Sequence, residues 1–396
     1  MCATALLLAT CACATPALAQ SQRGREINVA ATVKLQYDSN VVLSDRRLSG
    51  GQPDDDVSAA PSLDLDIYLP RATGDFTLSG SLGYNFYRRY TRLNRERLNL
   101  AAGVNQRVLS DCILHGEGSY SRQLSDIGDV LTTAPAASIN NTQEVRDYGA
   151  DIGCGAGIGF RPSIAIHRTE IRNSTPIRKL SDADTTSLTG QIGYNSPAIG
   201  TVSIFGRYSD SDYVNRPTPS GETDGTRVYS AGLQLERSIG TRLNFTGSAS
   251  YTQLDPKLAG ASGFKGVGFD VSAQYRGDFF QIGLTGSRSA GPSQIVFASY
   301  DVNTSVAFTL STQITPRIGW SGGGSFRRRS FQPSPLFAGL LELGSDKTYE
   351  LNTGLTYQAG RRLRFRLDGS QIRRTSNANL IDYNATRVSL TTTLSL

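Results

Sequence analysis

Only two histidines occur in the 396 residues, His115 and His167, so any histidine-dependent chemistry must use one of them. His115 stands two positions from Glu117. On an extended strand that spacing puts both on one face, the arrangement of an acid–base couple. The plainer reading is two neighbours on a polar wall, and the rest of the chain agrees with it. No Gly-x-Ser-x-Gly elbow, His-Glu-x-x-His helix or phosphate-binding glycine loop is present. The chain reads as a non-enzyme, with no cofactor, no metal and no nucleic-acid partner expected. Asp54-Asp55-Asp56 has the charge to hold Ca²⁺, but exposed acidic runs are usually only solvated.

Arginine offers a different chemistry. In 361–369, Arg362, Arg364 and Arg366 alternate with Leu363, Phe365 and Leu367. On a strand, the first three share one face and the others share the opposite one. Three cations in a row draw anions toward the surface that carries them.

The elements that would position these residues show in a period-two pattern repeated from Glu26 to the end. Ile27, Val29, Ala31, Val33, Leu35 and Tyr37 alternate with Asn28, Ala30, Thr32, Lys34, Gln36 and Asp38. Phe76, Leu78, Gly80, Leu82, Tyr84 and Phe86 repeat it, as do 243–251 and 349–357. About 18 such segments are expected. Short connections alternate with longer polar or Gly/Pro-rich ones from end to end. That rhythm belongs to a membrane barrel, with short periplasmic turns, long outside loops and an apolar outer face. A soluble sandwich or solenoid has no reason to keep it. The fold class is therefore all-β: a transmembrane, antiparallel, up-and-down outer-membrane β-barrel. No plug domain is expected, because only 20–25 precede the first strand.

Parity then gives a lumen wall. The basic residues placed there are Arg317, Arg327, Arg362, Arg364, Arg366, Arg374 and Arg387. The acidic ones are Asp64, Asp66, Glu117, Asp151, Glu236, Asp270, Glu350 and Asp368. Lys34, Arg97, His115, Asp147 and Arg207 fall on the same face. Two readings of the basic side stay open: an anion-attracting wall, or structural ion pairs with Asp64, Asp66 and other carboxylates. Arg361 and Arg373 are candidates to meet anionic lipid, since outer-membrane lipid and lipopolysaccharide surround such a barrel.

Composition sets the boundaries. Residues 1–19 form an apolar stretch ending Pro16-Ala17-Leu18-Ala19 and read as a secretory signal, with the barrel over 20–396. No Lys or Arg precedes the apolar core, which departs from the usual signal. Beyond residue 19 only Cys112 and Cys154 remain, too few for a disulfide scaffold or a Cys-rich metal site. Cys112 opens one strand and Cys154 ends the next. In register they stand near each other at the periplasmic end, and one cross-strand disulfide is expected.

The stretch Leu35-Gln36-Tyr37-Asp38-Ser39-Asn40-Val41 resembles the opening of the β-barrel porin 2 family, and the length and hairpin rhythm of the whole mature chain are similar to it. The resemblance implies an outer-membrane channel of an exopolysaccharide locus of the Wzx/Wzy type. Its partners would be a periplasmic polysaccharide export protein and the exopolysaccharide chain, with no catalytic residues. The competing expectations are a general or anion-selective diffusion porin, and a non-conducting barrel serving as adhesin or scaffold. A general porin usually folds a long acidic third loop inward. Here 126–143 is rich in Thr, Ala and Ser, which mildly disfavours that reading.

Overall fold

A computed structural model describes residues 24–43, 53–109, 111–125, 140–155, 157–216, 218, 221, 223–337, 344–377 and 381–396. The expected signal segment and most of 126–143 lie outside the described residues.

Each period-two segment becomes a strand. In chain order they are β1 (Glu26–Asp38), β2 (Asp56–Arg71), β3 (Gly74–Tyr87), β4 (Arg95–Leu109), β5 (Cys112–Leu124) and β6 (Thr142–Cys154). Next come β7 (Gly159–Asn173), β8 (Ala183–Ser196), β9 (Gly200–Tyr213), β10 (Gly225–Ile239), β11 (Leu243–Pro256) and β12 (Phe264–Arg276). The last six are β13 (Phe280–Pro292), β14 (Ala298–Thr315), β15 (Ile318–Pro333), β16 (Ser345–Gln358), β17 (Leu363–Ser376) and β18 (Tyr383–Ser395).

Every strand pairs antiparallel with its sequence neighbours, and β1 pairs with both β2 and β18, closing an 18-stranded barrel. Closure leaves no edge, so the ladder satisfies the backbone groups that hydrocarbon could not solvate. The outer face confirms where the apolar residues go. Leu82 is 60 % exposed, Leu233 59 % and Leu351 66 %. Such exposure, repeated around the ring, suits lipid and not water.

Connections at one end run two to four residues, and those at the other end five to seventeen, without a break in the alternation. Strands of 13 to 18 residues exceed the nine to eleven or so that a tilted strand needs to span hydrocarbon. The surplus forms a rim on the long-loop side. The register sets Cys112 opposite Cys154, and the two are joined as a disulfide that clamps β5 to β6 at the short-turn end.

Two expectations need correction. Arg317 lies in the tight turn joining β14 to β15, and Arg362 in the turn before β17; both are exposed and neither stands on the lumen-facing part of a strand. Period-two parity extrapolates through a turn, where strict alternation ends even though the Arg317 and Arg362 carbonyls still accept the N–H groups of Gln358 and Ser395.

Candidate channel lumen

The register carries the remaining candidates onto the inner face. On β17, Arg364, Arg366, Asp368 and Arg374 point inward, between outward Phe365, Leu367 and Arg373. The same alternation places Asp64 and Asp66 of β2 inward, opposite Ala30 and Asn28 of β1. Arg364, Asp64 and Asp66 line one recess of about 260 Å³ at the closure seam, together with Asn28, Gln358 and Thr393. Asp64 accepts the Thr32 hydroxyl at 2.8 Å. Among the described residues no ion pair joins Arg364 to either carboxylate. The recess therefore sets a cation against two anions, with space between them.

The other arginines are neutralised locally. Arg366 donates to Asp368 at 2.7 Å and to Ser321 Oγ at 3.2 Å. Arg387 of β18 reaches across the seam to Asp38 of β1 at 2.7 Å. Arg374 and Arg329 both hold the fully buried Asp346, each through an N–H at 2.6 Å. Sequence parity marked Arg374 but missed Arg329 and Asp346, which sit on three adjacent strands and meet only once the register is known. Arg327 points inward on β15, with its Nε buried and without a hydrogen-bond partner among the described residues.

Both histidines converge on one carboxylate. Glu117, Gly149 and His167 form a continuous row across β5, β6 and β7. A Cβ on Gly149 would lie 2.6 Å from His167 Nδ1 and 2.9 Å from Glu117 Cγ, so glycine lets the two side chains meet above it. His167 Nδ1 stands 3.6 Å from Glu117 Oε1, and His115 Nε2 stands 3.6 Å from Oε2. Asn105 Oδ1 accepts from His115 Nδ1 at 2.8 Å, which leaves Nε2 facing the carboxylate. Asp151 faces inward opposite His115. These groups are a third exposed inside the barrel, so the lumen wall is wetted there. Glu236 and Asp270 also face inward, Glu236 accepting from Gln234; Glu350 stands opposite Ser325 of β15. Among the described residues no hydroxyl or thiol hydrogen-bonds to either ring, and the two imidazoles and the carboxylate form a polar cluster on the inner wall. Asp56 of the acidic run is occupied as well: its carboxylate accepts backbone N–H groups of Val57, Arg89 and Tyr90, which holds the 88–94 loop.

The long-loop end is narrowed by the wall itself. β12 pairs with β11 up to Phe264, but with β13 only up to Phe269–Arg288. Above that point β13 and β14 stay paired to each other, leave β12 and approach β10. Tyr213 donates its hydroxyl to the carbonyls of Ser293 and Ser299 at 2.8 and 3.1 Å. Arg216 reaches the Ala298 carbonyl, and Arg178 of the β7–β8 connection reaches that of Gln294. Arg216 also pairs with Asp224, both side chains fully buried, and lies 3.6 Å from the Tyr213 ring centroid. On the other side Ile295 and Ala298 pack with Phe331 of β15 and Ile381 of the β17–β18 connection. The hairpin tip thus bridges the mouth from the β7–β10 wall to the β15–β18 wall. Nearby, burial lifts the Asp182 carboxyl above its ordinary range, against the pull of donors from Asn173 and Asn215.

Similar solved barrels exist. Pseudomonas aeruginosa OccK2 (OpdF) is 12% identical with a TM-score of 0.48, covering 94% of this chain and 98% of its own. Acinetobacter baumannii OccAB2 is 14% identical with a TM-score of 0.46, over 94% and 98%. The P. aeruginosa outer membrane protein OpdK is 12% identical at 0.46, over 94% and 99%. Likeness at this level carries no conclusion about what this chain handles. The chain matches no family model and no curated protein.

Proposed function

We propose that this barrel is an outer-membrane channel through which small hydrophilic solutes diffuse. The observation that carries it is the bridged mouth above a polar, wetted lumen. The described apolar clusters gather at the long-loop end, while the wall below is lined by Ser, Thr, Gly and charged groups. A barrel of this strand number encloses more space than its inward side chains fill. Water and small solutes fit such a passage. A folded-over hairpin, held by buried hydrogen bonds on one side and apolar packing on the other, suits a polymer chain poorly. The exopolysaccharide reading rests on the resemblance of the first strand, and nothing in the lumen adds to it. The apolar belt, the loop asymmetry and the expected signal support placement in the outer membrane, short turns facing the periplasm.

Planar-bilayer recording of the purified protein tests this reading, together with swelling of protein-containing liposomes in sugars of graded size. Stepwise conductance and passage of mono- and disaccharides are expected. A silent bilayer, or loss of surface polysaccharide in a deletion strain with small-solute uptake intact, would overturn it.

A further inference from the structure

The outward face of the long-loop rim is not uniform. From β4 to β10 its charges neutralise one another strand by strand. Arg122 holds Glu96 and Glu144 at 2.9 and 2.5 Å, and Arg146 stands between Glu144 and Glu170. Arg168 bridges Glu170 and Asp184, and Arg172 holds Asp184 at 2.6 Å. Lys257 closes the series on Asp210 and Asp212.

From β13 to β17 the pattern changes. Arg288, Arg328, Lys347 and Arg373 all face outward and are exposed. Arg328 and Lys347 are direct cross-strand partners, an unfavourable placing of like charges unless an anion intervenes. Arg373 lies opposite Tyr349, and Arg288 reaches Arg328 through one intervening position, Thr304. None of the four has an ion-pair or side-chain hydrogen-bond partner among the described residues. By register, no described Asp or Glu on β12–β18 faces outward. Level with Arg373 and just below Arg328 and Lys347, toward the membrane centre, Phe326 and Tyr349 pack with ring centroids 5.1 Å apart. Aromatic rows of this kind mark the membrane–water interface. The cations therefore stand at head-group height, on the lipid side of the wall.

We propose that Arg328, Lys347 and Arg373, with Arg288 beside them, form a binding site for the phosphate groups of a phosphorylated glycolipid in the outer leaflet. Guanidinium forks and an ammonium converge on phosphate oxygens, and the neighbouring rings lie against the top of the acyl region. The self-neutralised rim on β4–β10 offers no such attraction, so the lipid is held on one side of the barrel. This inference rests on the outer-membrane orientation given above, but not on conduction.

The test uses the purified barrel in neutral detergent, titrated with bisphosphorylated lipid A and followed by native mass spectrometry. Wild type is expected to bind lipid A at least tenfold more tightly than its dephosphorylated form, a comparison that needs no variant. The triple variant Arg328→Gln, Lys347→Gln, Arg373→Gln should lose at least tenfold in affinity. Arg146→Gln, on the paired rim, should bind as wild type does. The positions are exposed, and unchanged heat-modifiable mobility on gels checks that the triple variant is folded. Equal binding by wild type and the triple variant, or indifference to the phosphates, would overturn the site. Phosphatidylglycerol binding as tightly as lipid A would overturn the assignment to a glycolipid. Conductance enters none of these readouts, so failure here leaves the channel reading standing, and a silent barrel can still pass.

Discussion

At the scale of single residues, Asp346 shows how much one buried carboxylate can hold together. It is fully buried, and two arginines from the flanking strands depend on it. A buried pair is weak evidence for net stability, because desolvation offsets attraction; removing one partner is another matter. Asp346→Ala would remove the buried carboxylate that both Arg329 and Arg374 bond, at a cost of about 3–5 kcal/mol. The expected result is a clear fall in the temperature at which the folded, fast-migrating band is lost on gels. An unchanged transition would show that water or a loop carboxylate replaces Asp346. Little of this was legible in the sequence. Parity marks Arg374 as inward, but the triad needs Arg329, Asp346 and Arg374 to share a level on β15, β16 and β17, which only the register supplies. Gly149 is a similar case: nothing in its neighbours reveals that a missing side chain lets His167 meet Glu117. The converse error, Arg317 and Arg362, came from trusting alternation beyond the strand end.

At the scale of elements, the strands themselves were plain in the sequence. A half-buried strand in lipid must alternate, and Leu363-Arg364-Phe365-Arg366-Leu367 can satisfy lipid and lumen in only one orientation. What could not be read was the bend in the wall, because β13 alternates like every other strand and its departure from β12 depends on contacts across the lumen. Two predictions belong here. The Cys112–Cys154 bond closes a loop with a sequence separation of 42, which by chain entropy is worth up to about 4 kcal/mol. Cys112→Ser with Cys154→Ser should lower the urea midpoint while leaving conductance unchanged; an equal midpoint would mean that the β5–β6 ladder alone sets the limit. The second concerns the hairpin tip. Replacing residues 294–297 by Gly-Ser removes the Ile295 packing and loosens the segment whose backbone carbonyl Arg178 uses. Tyr213→Phe in the same chain removes the hydroxyl donated to Ser293 and Ser299. Single-channel conductance should then rise about twofold or more, a rough expectation for a passage whose narrowest point is widened. Unaltered conductance would place the narrowest point elsewhere.

At the scale of the whole molecule, net charge is a poor guide to what the lumen prefers. The chain carries +6 overall, and strand parity left open either an anion-attracting wall or structural ion pairs. The register distributes that charge differently. Arg374 and Arg387 are tied to Asp346 and Asp38, Arg317 and Arg362 leave the wall, and four further cations face the lipid side. Around the seam recess Arg364 and Arg366 stand against Asp64, Asp66 and Asp368, close to balance. A balanced constellation gives weak selectivity that tips either way when one side is removed. Arg364→Ser with Arg366→Ser should shift the reversal potential in a KCl gradient toward cation preference. Asp64→Asn with Asp66→Asn should shift it toward anion preference, by a comparable amount and with opposite sign. Screening lengths fall from about 10 Å at 0.1 M salt to about 3 Å at 1 M, so both shifts should shrink as salt is raised. Opposite, salt-sensitive shifts would place the recess on the permeation path. If both variants keep the wild-type reversal potential at low salt, ions pass along another part of the wall, and the His115–Glu117–His167 row across the barrel becomes the next surface to neutralise.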